Sequence, residues 1–102
     1  YDQGEELLSQ QIGPDEFQFD GRFDLDDLNR LLGTHLETEA ADTLSGYIAA
    51  EIGRMPVTGD RVLAEGWILT VEQVTGRRTR RVSARRLQPT ETDQEKKDDT
   101  KR

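Results

Sequence analysis

The stretch from residue 42 to residue 60 constrains the fold of this chain more than any other. Apolar residues recur every four positions from Leu44 to Ile52, the spacing that places side chains on one face of a helix. Gly53 follows the last of them and Pro56 comes three residues later, so the helix is expected to end there. The stretch therefore predicts a helix with one buried side, followed by a turn into a different kind of structure.

The same helix is expected to begin well before Leu44. Thr38 can act as its N-cap, so the helix is predicted over residues 39–52. Gly46 lies inside it, where glycine costs about 1 kcal/mol relative to alanine. We therefore expect Gly46 to allow another backbone to approach the helix closely.

Another helix is predicted upstream, after a turn at Asp20 and Gly21. Asp24 has the position and side chain of an N-cap, and Gly33 has the position of a C-terminal glycine. Four leucines between them supply an apolar stripe that is expected to be buried, Leu25, Leu28, Leu31 and Leu32.

Strand patterns occupy much of the remaining chain. Phe17 and Phe19 alternate on one face of the first, and Trp67, Leu69 and Val71 share one face of the third. Together with the helices this content predicts an α+β fold, in which a small antiparallel sheet packs against two helices. Four strands are expected, over residues 12–20, 61–64, 67–74 and 77–87.

The last of these strands is unusual because it carries six arginines. Val82 and Leu87 are its apolar anchors. Arginine on both faces of a regular strand is costly unless one face meets solvent or carboxylates, so we expect an exposed edge or a bulge near Arg80 and Arg81. The six form a candidate basic contact surface: Arg77, Arg78, Arg80, Arg81, Arg85 and Arg86.

Several partners are conceivable for this basic strand. An edge strand kept soluble by its charge, docking against the acidic half of the chain or against another protein, is the favoured interpretation. Binding of an anionic small molecule or of membrane headgroups is the alternative. Nucleic acid is disfavoured, because no aromatic residues are interleaved with the arginines and the chain has a pI near 4.7.

Charge and composition divide the chain into three parts. Residues 1–53 contain 13 acidic residues and two arginines, whereas residues 54–87 contain eight arginines and three acidic residues. The predicted parts are an acidic linker or lead-in over residues 1–11, a folded domain over residues 12–88, and a disordered polar tail over residues 89–102, which has no aliphatic or aromatic residue. Because the sequence opens at Tyr1 without Met, an excised fragment is expected.

The sequence offers little that could carry chemistry. Asp24, Asp26 and Asp27 could serve as oxygen ligands for Mg²⁺, but acids in the first turn of a helix are favoured by the helix dipole alone. His35 is the single histidine and the chain has no cysteine, so a loop role is expected for it. Nothing here predicts an enzyme, and no apolar stretch is long enough to span a membrane.

Four separated motifs occur in order along residues 12–87. They are residues 19–33, residues 42–46, residues 53–60 and the arginine-rich residues 80–86. Together they resemble the CorC/HlyC transporter-associated domain. The resemblance implies a fold like the smaller subdomain otherwise seen in FAD-binding enzymes, so binding of FAD or an adenine nucleotide is suggested by fold kinship alone.

The family resemblance also implies a cellular role. Such domains follow a pair of CBS domains at the cytosolic end of hemolysin-like membrane proteins implicated in magnesium and cobalt efflux, and they end some cation/proton antiporters. The implied function is a regulatory domain whose partners are the rest of its parent chain, with its CBS pair and membrane domain, or a second copy of itself. The localisation implied is the cytoplasmic side of the membrane, with the fragment itself soluble.

No catalytic residue is implied by the resemblance. Thr79 departs from the family pattern, because the last strand tends to be apolar at that place. The motif positions are expected to be structural, and they are Asp20, Gly21, Arg22, Leu25, Leu28, Leu32, Gly33, Asp42, Thr43, Gly46, Gly53, Pro56, Gly59 and Asp60.

Overall fold

Two hairpins and one closing strand build the sheet, and two helices lie between the hairpins in the chain. The structure is a computed structural model, and it describes residues 8–39 and 42–87. The predicted tail at residues 89–102 lies outside the described residues, as do residues 1–7 of the lead-in. The elements are β1 (Ser9–Gly13), β2 (Glu16–Phe19), α1 (Leu25–Leu32), α2 (Leu44–Ile52), β3 (Arg61–Ala64), β4 (Trp67–Thr75) and β5 (Arg78–Arg86).

The five strands form one antiparallel sheet in the order β1-β2-β5-β4-β3. The α+β prediction is therefore confirmed. The prediction that the arginine-rich strand is an edge is wrong, because β5 lies in the middle. On one side Val82 pairs with Phe19 of β2, and on the other it pairs with Val71 of β4. The predicted bulge is confirmed, because the β4–β5 register shifts between Val71 and Val74, where the pairing skips Glu72 on β4 and Arg80 on β5.

The N-terminal segment forms a hairpin where one strand was predicted. The chain reverses at Pro14 and Asp15, so that Gly13 pairs with Glu16. Proline pre-sets the backbone for the first corner of a turn and cannot donate to a ladder, which interrupts the strand predicted over residues 12–20. The first strand also includes Ser9, so the sheet begins inside the predicted lead-in.

Helix α1 has the predicted ends. The carboxylate of Asp24 accepts hydrogen bonds from the backbone N–H groups of Asp26 and Asp27, at 2.8 and 3.2 Å. Gly33 closes the helix in the left-handed region, with φ of 73°. The predicted apolar stripe is correct except at Leu31, whose side chain is 47% exposed.

Helix α2 begins later than predicted. Its N-cap is Thr43, whose hydroxyl accepts the N–H of Gly46 at 3.3 Å, so the proposed cap at Thr38 is wrong. The reason is a contact that local sequence signals do not reveal. Thr43 forms an antiparallel bridge with Asp24, and this extended pairing excludes a helix at the same residues. The end of the helix is confirmed at Gly53, with φ of 83°.

One face of the sheet is covered by the two helices and forms the core. Trp67, Leu69 and Val71 share this face as predicted and are buried on it together with Val82, whereas the second expected anchor, Leu87, is only half-buried. Their helical partners are Leu25, Leu28, Leu32, Leu44, Tyr47 and Ile48.

Three other side chains contribute to the packing on this face. The rings of Phe17 and Phe19 stack at 6.0 Å between centroids. Thr79 is buried where an apolar residue was expected, and within residues 8–39 and 42–87 no buried side-chain nitrogen or oxygen lacks a hydrogen bond. A polar residue is therefore accommodated near the N-terminal end of β5.

Within the same residues, neither helix has the length and hydropathy that a membrane-spanning segment needs.

Candidate interaction surface

The second face of the sheet has no helix packed on it among the described residues. Strand pairing aligns Glu16, Arg85, Ile68 and Leu63 in one row across four strands, pointing away from the core. Leu63 is 68% exposed and Ile68 is half-buried. We call this surface the open face, and its other members are Gln10, Gln18, Arg61, Thr70, Ser83 and Arg81.

The open face combines apolar and charged side chains in separate regions. Leu63 and Ile68 lie together on β3 and β4, whereas the opposite charges of Glu16 and Arg85 lie next to each other on β2 and β5. Large apolar side chains next to polar ones are typical of surfaces that bind other proteins. The open face is therefore a candidate docking surface.

The six arginines of the last strand do not form one surface. Arg77 and Arg78 lie at the tip of the β4–β5 hairpin, while Arg85 belongs to the open face. Arg86 points the other way, with its guanidinium carbon 4.4 Å from the ring centre of Trp67 and its Nε donating to Asp15 at 3.1 Å. Strand alternation and the bulge at Arg80 distribute these charges over both faces and the tip.

Two of the arginines border a depression at the end of β2. We call it the notch, and its volume is about 380 Å³. It forms because β5 continues past the end of β2, while the chain after Phe19 turns away from the sheet. The lining residues are Gln10, Gln18, Phe19, Asp20, Gln73, Arg80 and Arg81.

The carboxylate in the notch is already engaged. Asp20 accepts the backbone N–H of Arg22 at 2.8 Å and its Nε at 3.1 Å. Burial acts to raise the pKa of Asp20, but these hydrogen bonds and the nearby charges of Arg22 and Arg78 outweigh it, so the pKa lies below its ordinary value. Asp20 therefore remains ionised and is directed toward Arg22.

A second surface feature is the loop between α2 and β3. Arg54 and Asp60 form two parallel hydrogen bonds of 2.8 and 2.9 Å, and the carboxylate of Asp60 also accepts the N–H of Val57 at 2.8 Å. The hydrogen bond from the Arg54 guanidinium, followed by that from Val57, lowers the pKa of Asp60. The loop is thus closed by a charged clasp, which holds Met55 and Val57 in exposed positions, at 42% and 53%.

The residues considered as metal ligands are not assembled into a site. Asp24 caps α1 and Asp27 pairs with Arg30, and within residues 8–39 and 42–87 no group of three or more His, Cys, Asp or Glu side chains could hold an ion. His35 lies in a loop with its side chain 91% exposed, and its backbone N–H donates to Glu65 at 2.9 Å.

A comparison of the sequence with known families decides the identity of this fold. The CorC_HlyC family profile, described as a transporter associated domain, matches residues 10–88. The chain belongs to the CorC/HlyC family. CorC/HlyC domains are described as transporter associated, and the family is not known as catalytic.

Relatives of this CorC/HlyC domain are found among longer proteins. The UPF0053 protein Rv2366c of Mycobacterium tuberculosis (strain ATCC 25618 / H37Rv) is 33% identical over 95 residues, which cover 91% of this chain and 22% of that protein. This chain therefore spans about a fifth of the length of the curated relatives it matches, since the share for YhdP of Bacillus subtilis is 18%.

Solved structures share the fold. The CorC-associated region from Neisseria meningitidis MC58, whose name refers to Mg²⁺ and Co²⁺ transport, is 28% identical with a TM-score of 0.74, covering 79% of this chain and all of that one. A CorC_HlyC domain of a Xylella fastidiosa Temecula1 hemolysin, in complex with Mg²⁺ and Mn²⁺, is 24% identical with a TM-score of 0.73, covering 80% of this chain and all of that one. The second likeness concerns the fold alone.

The motif positions of the CorC/HlyC domain lie at turns, caps and close contacts in this structure. Asp20 and Arg22 form a turn, while Gly21 sits against β5, where an added Cβ would lie 2.3 Å from the carbonyl oxygen of Thr79. Close backbone approach was predicted at Gly46, and that remains a prediction. The others are Gly33 and Gly53 as C-caps, Thr43 as N-cap, Asp42 accepting from Leu25, buried Pro56, and Gly59 with φ of 101°.

Sequence reasoning missed the open face, the notch and the clasp. The open face and the notch depend on strand order, which pairs β2 with a strand more than 60 residues away. The clasp had a visible signal, because Arg54 and Asp60 bracket a loop containing Pro56 and Gly59 with complementary charges at its ends. The sequence pattern was interpreted only as a turn, and the ion pair between its ends was not predicted.

Proposed function

We propose that this domain is a non-catalytic accessory module of a longer membrane transport protein, and that it modulates ion transport through contacts made within or between subunits. It acts on the cytoplasmic side of the membrane, and its partners are the CBS pair and membrane domain of its parent or a second copy of itself. The ion is Mg²⁺ or Co²⁺ by analogy with the name of the Neisseria relative.

The observation that carries this proposal is the uneven covering of the sheet. Both helices pack on one face, and the described residues leave Leu63 and Ile68 on the other face. A docking role explains why apolar side chains remain in solvent in a chain with few of them. The relatives are about five times longer than the matched segment, which supplies candidate partner surfaces within one polypeptide.

The proposal is tested in the parent protein by comparing deletion of residues 9–87 with a surface variant. Leu63→Arg combined with Ile68→Lys should alter ion flux, or subunit association, in the same direction as the deletion. A matched control, Glu51→Lys, changes an exposed residue of α2 and should leave both unaltered. If the deletion leaves flux and association as they were, the module has no such role.

Two alternative functions predict different experimental results. A module that binds FAD or an adenine nucleotide would give heat on calorimetric titration with FAD, ATP or AMP, and a flat titration is expected here. In a cation/proton antiporter, deletion of the domain would change proton-coupled monovalent cation exchange and leave Mg²⁺ and Co²⁺ flux unchanged.

A further inference from the structure

Strand β3 is an edge of the sheet among the described residues, because it pairs with β4 on one side only. Just before β3, the carbonyl of Asp60 accepts the N–H of Val71 at 2.8 Å, so the backbone of Asp60 is directed toward β4. The backbone groups of successive residues in a strand alternate in direction, so those of Arg61 and Leu63 are directed away from β4. The edge therefore presents two N–H donors and two C=O acceptors to a further strand.

The features that usually protect a sheet edge are sparse on β3. Its pairing with β4 has no register shift, and the strand contains neither proline nor lysine. The opposite edge, β1, has a register shift between Gln11 and Gly13. Among the described large apolar side chains, that of Leu63 is the most exposed, at 68%, and it lies next to Ile68 of β4. An incoming strand is therefore expected at β3.

The sequence around Leu63 is complementary to itself in the antiparallel direction. When two β3 strands pair with Leu63 at the centre, the two leucines lie opposite each other, and Arg61 of each copy lies opposite Glu65 of the other. No described side chain or carbonyl bonds to the guanidinium of Arg61, which is exposed. Glu65 is 45% exposed and accepts the N–H of His35 through Oε1 at 2.9 Å, which leaves Oε2 for an arginine of the second copy.

Other symmetric registers lack this complementarity. Centring the pair on Arg61 would place the two arginines directly opposite each other, and like charges in that position destabilise a sheet. Centring it on Val62 would place each Arg61 opposite Leu63 of the other copy and leave Glu65 beyond the paired residues. The register centred on Leu63 is therefore favoured.

We propose that two copies of this domain associate through their β3 edges, with Leu63 at the two-fold axis and two reciprocal ion pairs between Arg61 and Glu65. The two sheets then form one continuous antiparallel sheet. This inference specifies the second copy among the partners in the proposed function, and it rests on that function only for the setting of the domain in a longer protein. The contact itself is tested on the isolated chain.

The association should be weak in the isolated chain. Strand β3 has four residues, and an edge of that length buries less than the roughly 1,200–2,000 Å² of a standard stable interface. We therefore expect a dissociation constant of about 0.1–1 mM. Two domains held in one assembly by their parent chains would have an effective concentration in the millimolar range, which is sufficient for such a contact.

The test is sedimentation equilibrium of the full 102-residue chain at concentrations up to about 1 mM. Arg61→Glu places carboxylates opposite each other at both ends of the contact and should raise the dissociation constant about fivefold or more. Glu65→Arg places arginines there and should have the same effect. The matched control, Arg77→Glu at the tip of the β4–β5 hairpin, makes the same change in net charge as Arg61→Glu and should leave the dissociation constant unchanged.

Mixing the two variants gives the sharpest comparison. In a dimer of one Arg61→Glu chain with one Glu65→Arg chain, both contacts again join opposite charges. The equimolar mixture should therefore associate with nearly the native dissociation constant, although neither variant does so alone. The fluorescence of Trp67 checks that each variant is folded, and both variants retain Leu63 and Ile68.

Amide hydrogen exchange in the native chain provides a second measurement that needs no variant. The N–H of Leu63 is directed out of the edge, so its exchange should slow about twofold on concentration from about 20 μM to about 1 mM, as the dimer forms. The amide of Gln11, on the opposite edge, should exchange at the same rate at both concentrations.

Four outcomes would overturn the proposal. They are a native chain that stays monomeric at about 1 mM, a mixture that associates no better than its components, slower exchange at Gln11 instead of Leu63, and protection of Leu63 in the intact parent but not in the concentrated chain. The last would assign the edge to another segment of the parent. If Arg61→Glu weakened association of the parent and left ion flux unaltered, the contact would stand and the regulatory role would fail.

Discussion

At the scale of single residues, the most informative groups are those that close loops or permit close approach. Arg54 and Asp60 form a bidentate pair that also fixes the N–H of Val57. Gly21 allows the chain leaving β2 to pass against the carbonyl of Thr79. Both roles, the loop closure by Asp60 and the close backbone contact at Gly21, are structural, and each can be tested by a single substitution.

The clasp predicts a specific dependence of stability on pH. Because the Arg54 guanidinium lowers the pKa of Asp60 in the folded state, Asp60 contributes stability above its unfolded pKa of about 3.9 and loses it as pH falls through the lower folded pKa. Asp60→Asn should therefore unfold at lower urea concentration than the native protein at pH 7. The difference should shrink as the pH is lowered below about 4.

Urea unfolding followed by the fluorescence of Trp67 between pH 7 and pH 2 measures this difference. Glu37→Gln removes an exposed carboxylate elsewhere and should change the free energy of unfolding at pH 7 by less than about 0.5 kcal/mol. A gap between Asp60→Asn and the native protein that widens toward acid would contradict the assignment.

Gly21→Ala tests the close approach to β5. The added Cβ would lie 2.3 Å from the backbone oxygen of Thr79, so the backbone must shift. We expect a loss of about 1–3 kcal/mol in the free energy of unfolding, as for other overpacked sites. Gly13→Ala is the matched control, because no heavy atom lies within 4 Å of its added Cβ. Equal urea midpoints for the two variants would show that the contact is absent.

At the scale of elements, α1 is defined by its cap. Asp24→Ala removes the acceptor for two backbone N–H groups and should cost about 1 kcal/mol in the free energy of unfolding. Asp26→Ala removes a first-turn carboxylate that caps nothing, so it should cost less. Thermal or urea unfolding of both variants checks this, and a larger cost at Asp26 would mean that the helix dipole outweighs the cap.

The sequence predicted elements where their signals are local. Helix α1 has an aspartate cap, an apolar stripe and a closing glycine within ten residues, and its bounds were correct. Helix α2 begins at Leu44, after the N-cap Thr43, because the backbone of Thr43 pairs with that of Asp24, a contact between segments about 20 residues apart. The start of α2 was therefore decided by tertiary structure, which overrode the local signal at Thr38.

Strand order was beyond the reach of local patterns for the same reason. Six arginines made β5 resemble an edge strand, yet β2 pairs with it across the sheet. Its arginines are tolerated because Arg86 lies over Trp67 and Arg85 is on the open face, while the small residues Ser83 and Ala84 occupy the middle of the pairing with β2. The arginine pattern identified the bulge correctly and the position of the strand incorrectly.

At the scale of the whole molecule, metal binding is the property that most needs a direct measurement. The described residues contain no cluster able to hold an ion, so 5 mM Mg²⁺ or Co²⁺ should leave the melting temperature of the chain unchanged relative to EDTA. A ligand at about 100 times its Kd would add about 2.7 kcal/mol. For a domain of this size that corresponds to a rise of roughly 10 °C or more. Such a rise would establish a metal site.

The central position of β5 has a consequence for the synthesis of the protein. Among the described residues, the two hairpins β1–β2 and β3–β4 are joined in the sheet only through β5, the last of the five strands in chain order and therefore the last of them to be synthesised. An isolated two-stranded hairpin is marginally stable in water at best. A nascent chain that stops before Arg78 therefore lacks the strand that unites its two halves, and a premature stop codon there would remove the whole domain rather than one strand.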